Sequence, residues 1–254
     1  MKQTGNTMLI TGGGSGIGAA LARRFHDDGN TVIIAGRREE ALRRVAEERS
    51  NMHAMVLDID GADAIADFAG RVLAAHPALN VLVNNAGIMR FEALERRRDL
   101  ADAEATIATN LLGPIRLTNA LVEHLATRPD AAVVNVTSGL AYVPLHVTPT
   151  YNATKAAIHS YTLSLREVLH GKVEVIELLP PAVQTGLTPG QETRPGYLPL
   201  DAFVDEVMAL LSHQPTPPEI VVERARFQRF AEAEGRFDAT MAQLNEFAAK
   251  ARQV

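Results

Sequence analysis

From Met8 to Leu179 the chain alternates short apolar runs with longer amphipathic stretches, and this alternation restricts the architecture more than any other feature. The runs lie near 7–11, 31–35, 53–58, 79–84, 132–137 and 172–179, and a short seventh is expected near 219–222. They are almost continuously Val, Ile and Leu, without an apolar–polar alternation, which is the pattern of strands covered on both faces. The intervening stretches repeat apolar residues at helical spacing, as Ile17, Ala20, Leu21, Ala22 and Phe25 do after the first run. Strand, helix and strand in succession predict right-handed crossovers and an α/β fold, a doubly wound parallel sheet with helices on both faces. A length of 254 residues suits one such domain with a substantial core, and no internal repeat or long linker divides it.

The first strand runs into Thr11-Gly12-Gly13-Gly14-Ser15-Gly16-Ile17-Gly18, with a helix expected directly after. Strand, glycine-rich turn and helix is the setting a nucleotide-phosphate loop requires. Glycines let the backbone come close to a pyrophosphate, and the helix start directs free N–H groups at the anion. The spacing Gly12, Gly16, Gly18 differs from the G-x-G-x-x-G fingerprint, so the loop alone is equally a tight turn. The second strand ends in Gly36-Arg37-Arg38, where a dinucleotide fold carries an acid for the ribose of NAD or an arginine for the 2′-phosphate of NADP. The planar guanidinium suits phosphate. Two cations opening a helix oppose its dipole unless Glu39 and Glu40 offset them, so Arg37 and Arg38 predict NADP(H) over NAD(H).

Tyr151 and Lys155 stand four residues apart at the head of an expected helix, which puts both on one face. An ammonium near a phenol favours the phenolate, so the pair is a candidate general acid/base. Alone, the same spacing reads as packing beside a solvated charge. Order along the chain argues for chemistry. Asn84-Asn85-Ala86-Gly87 closes the fourth strand, Asn110 lies in a helix interrupted by Gly113-Pro114, and Ser138 follows the fifth strand. Ligands of open α/β sheets bind beyond the carboxyl ends of the strands, where these residues converge.

In the Thr11–Gly18 loop, Asp58, Asn84-Asn85-Ala86-Gly87, Asn110, Ser138, Tyr151, Lys155 and the stretch from Pro180 to Thr185, the chain resembles the short-chain dehydrogenase/reductase family over residues 8–185. Residues 140–165, with Thr148-Pro149-Thr150-Tyr151 and Ala156-Ala157-Ile158-His159-Ser160, are similar to its bacterial DltE-type subgroup. The resemblance implies a Rossmann-type fold and hydride transfer between a nicotinamide and a carbonyl or alcohol. It implies that Tyr151 is the acid/base, Ser138 holds the substrate oxygen, Lys155 meets the nicotinamide ribose, and Asn110 completes a proton relay through a water. Pro114 has no N–H for the Asn110 carbonyl, which frees that carbonyl for such a water. The implied cofactor contacts are Gly12, Gly14, Ser15, Gly16, Ile17, Gly18, Arg37, Arg38, Asp58 and Ile59 on the nucleotide side, then Asn84, Ala86 and Gly87, then Tyr151, Lys155, Pro181, Val183 and Thr185. Pro180-Pro181 stands where the family has Pro-Gly, which stiffens the nicotinamide side. Tyr142 and His146 are candidates for the substrate wall, and His159 for packing.

A net charge of −5 and a pI near 5.9 argue against a nucleic-acid surface, and Arg96-Arg97-Arg98 is a short cluster beside acids. The chain has no cysteine, hence no disulfide or thiolate ligand, and its eight histidines form no metal motif. No apolar run reaches the ~20 residues of a membrane span, and the polar start carries no signal peptide, so a cytoplasmic protein without a membrane partner is expected. Residues 186–200 are an expected substrate loop. Residues 224–252 are an expected helical tail carrying Phe227, Phe230 and Phe237, which covers either its own domain or a neighbour in a homodimer or homotetramer. The expected activity is that of an NADP(H)-dependent carbonyl reductase or alcohol dehydrogenase. The alternatives are a cofactor sensor without turnover, or a lyase or epimerase on the same scaffold.

Overall fold

The computed structural model describes residues 1–250. Seven parallel strands form one sheet in the order β3-β2-β1-β4-β5-β6-β7. The strands are β1 (Thr7–Thr11), β2 (Thr31–Gly36), β3 (Met52–Val56), β4 (Val81–Asn84), β5 (Ala132–Val136), β6 (Glu174–Leu179) and β7 (Glu219–Val221). The helices between them are α1 (Gly16–Asp27), α2 (Glu39–Ala46), α3 (Ala62–Ala75), α4 (Ala101–Ile107), α5 (Gly113–Leu125), α6 (Pro149–Val168) and α7 (Leu200–Leu211), followed by α8 (Glu223–Arg229) and α9 (Phe237–Lys250).

Successive strand residues serve opposite faces. Met8, Ile10, Val32, Ile34, Val81 and Val83 pack with Leu21, Phe25, Phe203 and Val207 of α1 and α7. Leu9, Ile33, Leu82, Val133 and Val175 pack with Phe68, Val72, Leu117 and Leu121 of α3 and α5. Each strand therefore has to be apolar throughout, which is why the runs in the sequence show no alternation. β4 begins at Val81, two residues later than the apolar run: Leu79 N–H bonds back to the His76 carbonyl, while Asn80 donates its N–H to the Thr7 carbonyl, accepts from Ala132 N–H and joins Asn6 with its side chain. Strand order reverses at β1 and β4, and a crevice opens beyond their carboxyl ends.

Between α4 and α5 the helix widens into a π turn at Ala108–Leu112, closed by Gly113 N–H on the Ala108 carbonyl. The segment expected as a substrate loop is folded. It contains a short 3-10 turn at Gln191–Thr193, and a parallel bridge joins Val183 to Leu198. The buried Gln191 side chain donates to the Val183 carbonyl and accepts from the Thr188 hydroxyl, both at 2.8 Å.

The tail differs from the long helix expected over 224–252. It breaks into α8 and α9 at Gly235, which takes a left-handed conformation (φ 66°) while Gly235 and Arg236 N–H groups return to Glu232 and Ala231 carbonyls. A glycine at a helix end supplies this turn without steric cost, and the spacing of the phenylalanines across it conceals the break. Residues 251 and 252 of the expected tail lie outside the described residues. α9 packs on its own chain. Asn245 accepts from His146 N–H at 2.8 Å and donates to the Pro144 carbonyl at 3.3 Å. Phe247 lies over Tyr197, with centroids 6.3 Å apart. No described helix is long and apolar enough to cross a membrane.

Candidate active site

The crevice is a cleft of about 540 Å³ at the carboxyl ends of the central strands, with Gly12, Gly14, Ser15, Gly16 and Ile17 along one wall. Gly12 is left-handed (φ 68°), and a Cβ there would lie 2.9 Å from the Ala86 Cα. Gly18 is not on the wall. A Cβ at Gly18 would meet the Gly12 carbonyl oxygen at 2.5 Å, so this glycine lets α1 sit against the loop that precedes it. The start of α1 has no side-chain cap and no acid in its first turn, which leaves its N–H groups directed at the cleft mouth. Thr11 holds the facing wall: its hydroxyl accepts from the N–H groups of Asn85 and Ala86, both at 3.0 Å. A glycine cradle with an uncapped helix end suits the pyrophosphate of a dinucleotide.

Arg37 and Arg38 line the cleft at the end of β2. Arg38 donates to Ser15 Oγ at 3.2 Å, and Arg37 lies 3.6 Å from Asp60 Oδ2 with its side chain 58% exposed. Neither guanidinium is committed to a buried carboxylate, so both can meet a phosphate. Ile59 is on the wall, whereas Asp58 is not; its Oδ1 accepts the Asp60 N–H at 3.2 Å. Ala86 and Gly87 line the cleft together with Asn85. Asn84 turns inward instead. Its Nδ2 donates to Thr118 Oγ1 of α5 at 3.0 Å and to Asn135 Oδ1 of β5 at 2.8 Å, and Asn84 does not line the cleft. The cause is strand alternation: Asn84 is the last buried residue of β4, and Asn85 is the first to leave the strand.

Asn110 occupies the π turn and is buried. Its side chain bonds Ile88 twice, accepting from the N–H and donating to the carbonyl, each at 2.8 Å. Asn110 thus fixes the segment after Gly87 and does not itself line the cleft. Ser138, Tyr151 and Lys155 line the same cleft together with Pro181, Val183 and Thr185. Ser138 follows β5 with its Oγ accepting Leu140 N–H at 3.1 Å, and the Gly139 N–H bonds the Pro180 carbonyl at 3.0 Å. The first proline of the pair therefore accepts from the serine turn.

Tyr151 and Lys155 are both buried on α6, with the Lys155 ammonium 5.6 Å from the Tyr151 ring centroid. Burial pushes the Tyr151 phenol up to about 12, against a smaller downward pull from its hydrogen bond with Ser138. Burial brings Lys155 down to about 8. The expected lowering of Tyr151 by Lys155 is not met in this geometry: the ammonium is turned to the Val136 carbonyl at 2.8 Å, and desolvation dominates both groups.

Two expected wall residues lie elsewhere. Tyr142 points away from the cleft, at 3.2 Å from Glu177 Oε1, under the Arg229 guanidinium. His146 is a loop residue held by Asn245. Ile88 and Arg90, not singled out in the sequence, join the wall, as do Thr11 from the glycine-loop motif and Leu187 and Gln191 from the segment expected as a substrate loop. Ile88 adjoins the Asn84–Gly87 motif, which could have signalled it.

A family model described as short chain dehydrogenase matches residues 6–195. The chain is 43% identical over 201 residues to the uncharacterized oxidoreductase DltE of Bacillus subtilis (strain 168), covering 77% of this chain and 79% of that protein. It is 37% identical to sulfoacetaldehyde reductase 2 of Chromohalobacter salexigens, over 71% of this chain and 74% of that one. Among solved structures, a short chain dehydrogenase from Burkholderia cenocepacia J2315 in complex with NADP superposes with a TM-score of 0.81 at 26% identity, covering 96% of this chain and 99% of that one.

Proposed function

The chain belongs to the short-chain dehydrogenase family, and we propose that it is an NADP(H)-dependent cytoplasmic oxidoreductase that reduces a small aldehyde or ketone, with Tyr151 as proton donor. The observation that carries this reading is the buried Tyr151 phenol, which lines with Ser138 and Lys155 the same cleft as the glycine cradle. The glycine cradle with Arg37 and Arg38 would hold NADP(H), whose nicotinamide, when bound, would supply hydride to the carbonyl carbon. Ser138 donates to the carbonyl oxygen and holds it against the Tyr151 hydroxyl. Tyr151 gives its proton to that oxygen as charge develops there. A phenol raised to about 12 stays protonated through the neutral range, the state a donor needs. Lys155, cationic below about pH 8, is assigned to the nicotinamide ribose at the same end of the cleft. Asn110 keeps Ile88, and with it the wall facing Tyr151, in place.

The test is NADPH and NADH oxidation, followed by absorbance, with a panel of small aldehydes and ketones. Short aldehydes with an acidic group head the panel, since one relative is named a sulfoacetaldehyde reductase. Turnover of a panel member with stoichiometric NADPH loss supports the proposal. Binding of NADPH with no consumption across the panel rejects it in favour of a sensor.

Cofactor choice is assigned to Arg37 and Arg38. Changing both to Asp is expected to lower kcat/KM with NADPH by about ten- to a hundredfold, the scale of a charge-assisted contact, and to leave NADH within about threefold. A wild-type protein that already prefers NADH rejects the assignment. We also propose a homo-oligomer, a dimer or tetramer, because Ile107, Leu112, Leu163 and Val168 around α4 to α6 leave 38–77% of their surface exposed. Light scattering that returns a monomer rejects it.

A further inference from the structure

Behind the serine turn, away from the cleft, lies a buried acid in the middle of an apolar strand. Glu177 of β6 is 0% exposed. Its Oε1 accepts from the Thr137 hydroxyl at 2.7 Å and from the Tyr142 hydroxyl at 3.2 Å. Its Oε2 lies 2.8 Å from His159 Nδ1, which is also 2.9 Å from the Tyr142 hydroxyl. These partners are not scattered. Thr137 immediately precedes Ser138, Tyr142 closes the 3-10 turn (Gly139–Ala141) that follows it, and His159 stands one helical turn beyond Lys155 on α6.

We propose that Glu177 is a positioning residue for Ser138: by accepting from both ends of the serine turn and meeting His159 on the catalytic helix, its carboxyl group sets the serine hydroxyl against the Tyr151 phenol. A polar group in a dry core is costly unless all its bonds are made, so a carboxyl at this place holds its partners to one geometry. The back of the turn is closed by α8. The buried Gln228 amide lies where a Cβ on Gly139 would be, at 2.4 Å, and Arg229 covers the Tyr142 ring at 4.7 Å while pairing with Glu219. With Gly139 blocked from behind and Thr137 held from below, Ser138 has little freedom to shift along the cleft. The proposal rests on the reading of Ser138 and Tyr151 as the reacting pair.

The experiment uses the full chain and the panel aldehyde or ketone turned over best. Glu177→Leu is expected to lower kcat on the order of thirtyfold, as misplacement of a reacting group does, with the NADPH dissociation constant within about twofold of wild type. Hydride transfer should become rate-limiting, seen as a larger isotope effect with 4-deuterated NADPH. Glu177→Gln keeps the acceptor for Thr137 and Tyr142, and His159 can present a lone pair to its amide in the other neutral tautomer, so kcat should return to within about threefold of wild type. If Glu177→Leu does not fold, Thr137→Val decides, with kcat expected to fall about tenfold and NADPH affinity unchanged. Wild-type kcat in the deciding variant overturns the proposal. So does a loss of NADPH affinity equal to the loss of kcat, or a folded Gln variant as impaired as the Leu variant. Tyr151→Phe, assayed beside them, separates the two readings: if it is inactive while the Glu177 and Thr137 variants are normal, only this inference fails, and if it is fully active, or no panel member is turned over, the proposed function fails with it.

Discussion

Tyr151→Phe is expected to lower kcat by about a thousandfold, within the 10²–10⁴ range that a positioned acid contributes, while the NADPH dissociation constant stays within about threefold. The ring stays and only the hydroxyl goes, so the packing of α6 against the serine turn is conserved. The hydroxyl lost belongs to a buried residue beside Ser138, and Ser138 retains the Leu140 N–H. The stability change should therefore be about 1 kcal/mol, far below what unfolding the protein needs. Single-turnover kinetics with NADPH and the best panel substrate measure the effect directly. Turnover within tenfold of wild type would remove Tyr151 from the chemistry and leave the cleft a binding site.

Lys155→Met is expected to abolish most activity and yet raise the melting temperature at pH 7. Lys155 is buried, and its folded pKa is lowered to about 8 from 10.5. Because the folded value is the lower one, the folded state disfavours the ammonium. The cost is full below about pH 8, fades as pH rises through that value, and is gone above the unfolded value of 10.5. A tenfold change in proton affinity is ~1.4 kcal/mol, so the cost is on the order of 3 kcal/mol, less whatever the bond to the Val136 carbonyl returns. For a chain of this size each kcal/mol moves the midpoint by roughly 2–4 °C. Thermal unfolding of both proteins should show the variant several degrees higher at pH 7, with the gap closing near pH 10. NADPH affinity should fall in the same variant, since the ammonium is also assigned to the nicotinamide ribose. A variant that melts lower than wild type at pH 7 contradicts the argument from burial.

The glycine-lined half of the cleft was legible in the sequence because its requirements are local. Gly12 and Gly18 have to be glycine where a Cβ would strike Ala86 or the Gly12 carbonyl, and a turn between strand and helix announces such positions. The strands were legible because β-branched runs covered on both faces have few other structures open to them. What escaped depends on contacts between distant residues. Asn84 and Asn85 are indistinguishable as letters, and only the end of β4 decides that the first turns into the sheet and the second toward Thr11. Tyr142 follows the catalytic serine closely enough to suggest a substrate wall, yet Glu177, 35 positions later, draws it to the back of the turn. The break at Gly235 was hidden because phenylalanines on either side of it kept a helical spacing. The hold of Asn245 on His146 spans 99 positions and has no local signature.

The π turn at Ala108–Leu112 acts on the long helical rod from Ala101 to Leu125 as a phase shift acts on a wave. One residue inserted into an α-helix rotates everything after it by about 100° relative to everything before it. A regular helix through these residues would present one continuous stripe and could lie along one neighbour only. Here the rod changes neighbours at the seam: α4 leans on α6, and α5 turns to α3 and the sheet. Asn110 sits at that seam, so the irregularity that carries its side chain to Ile88 is the same one that lets a single rod belong to two layers of the molecule.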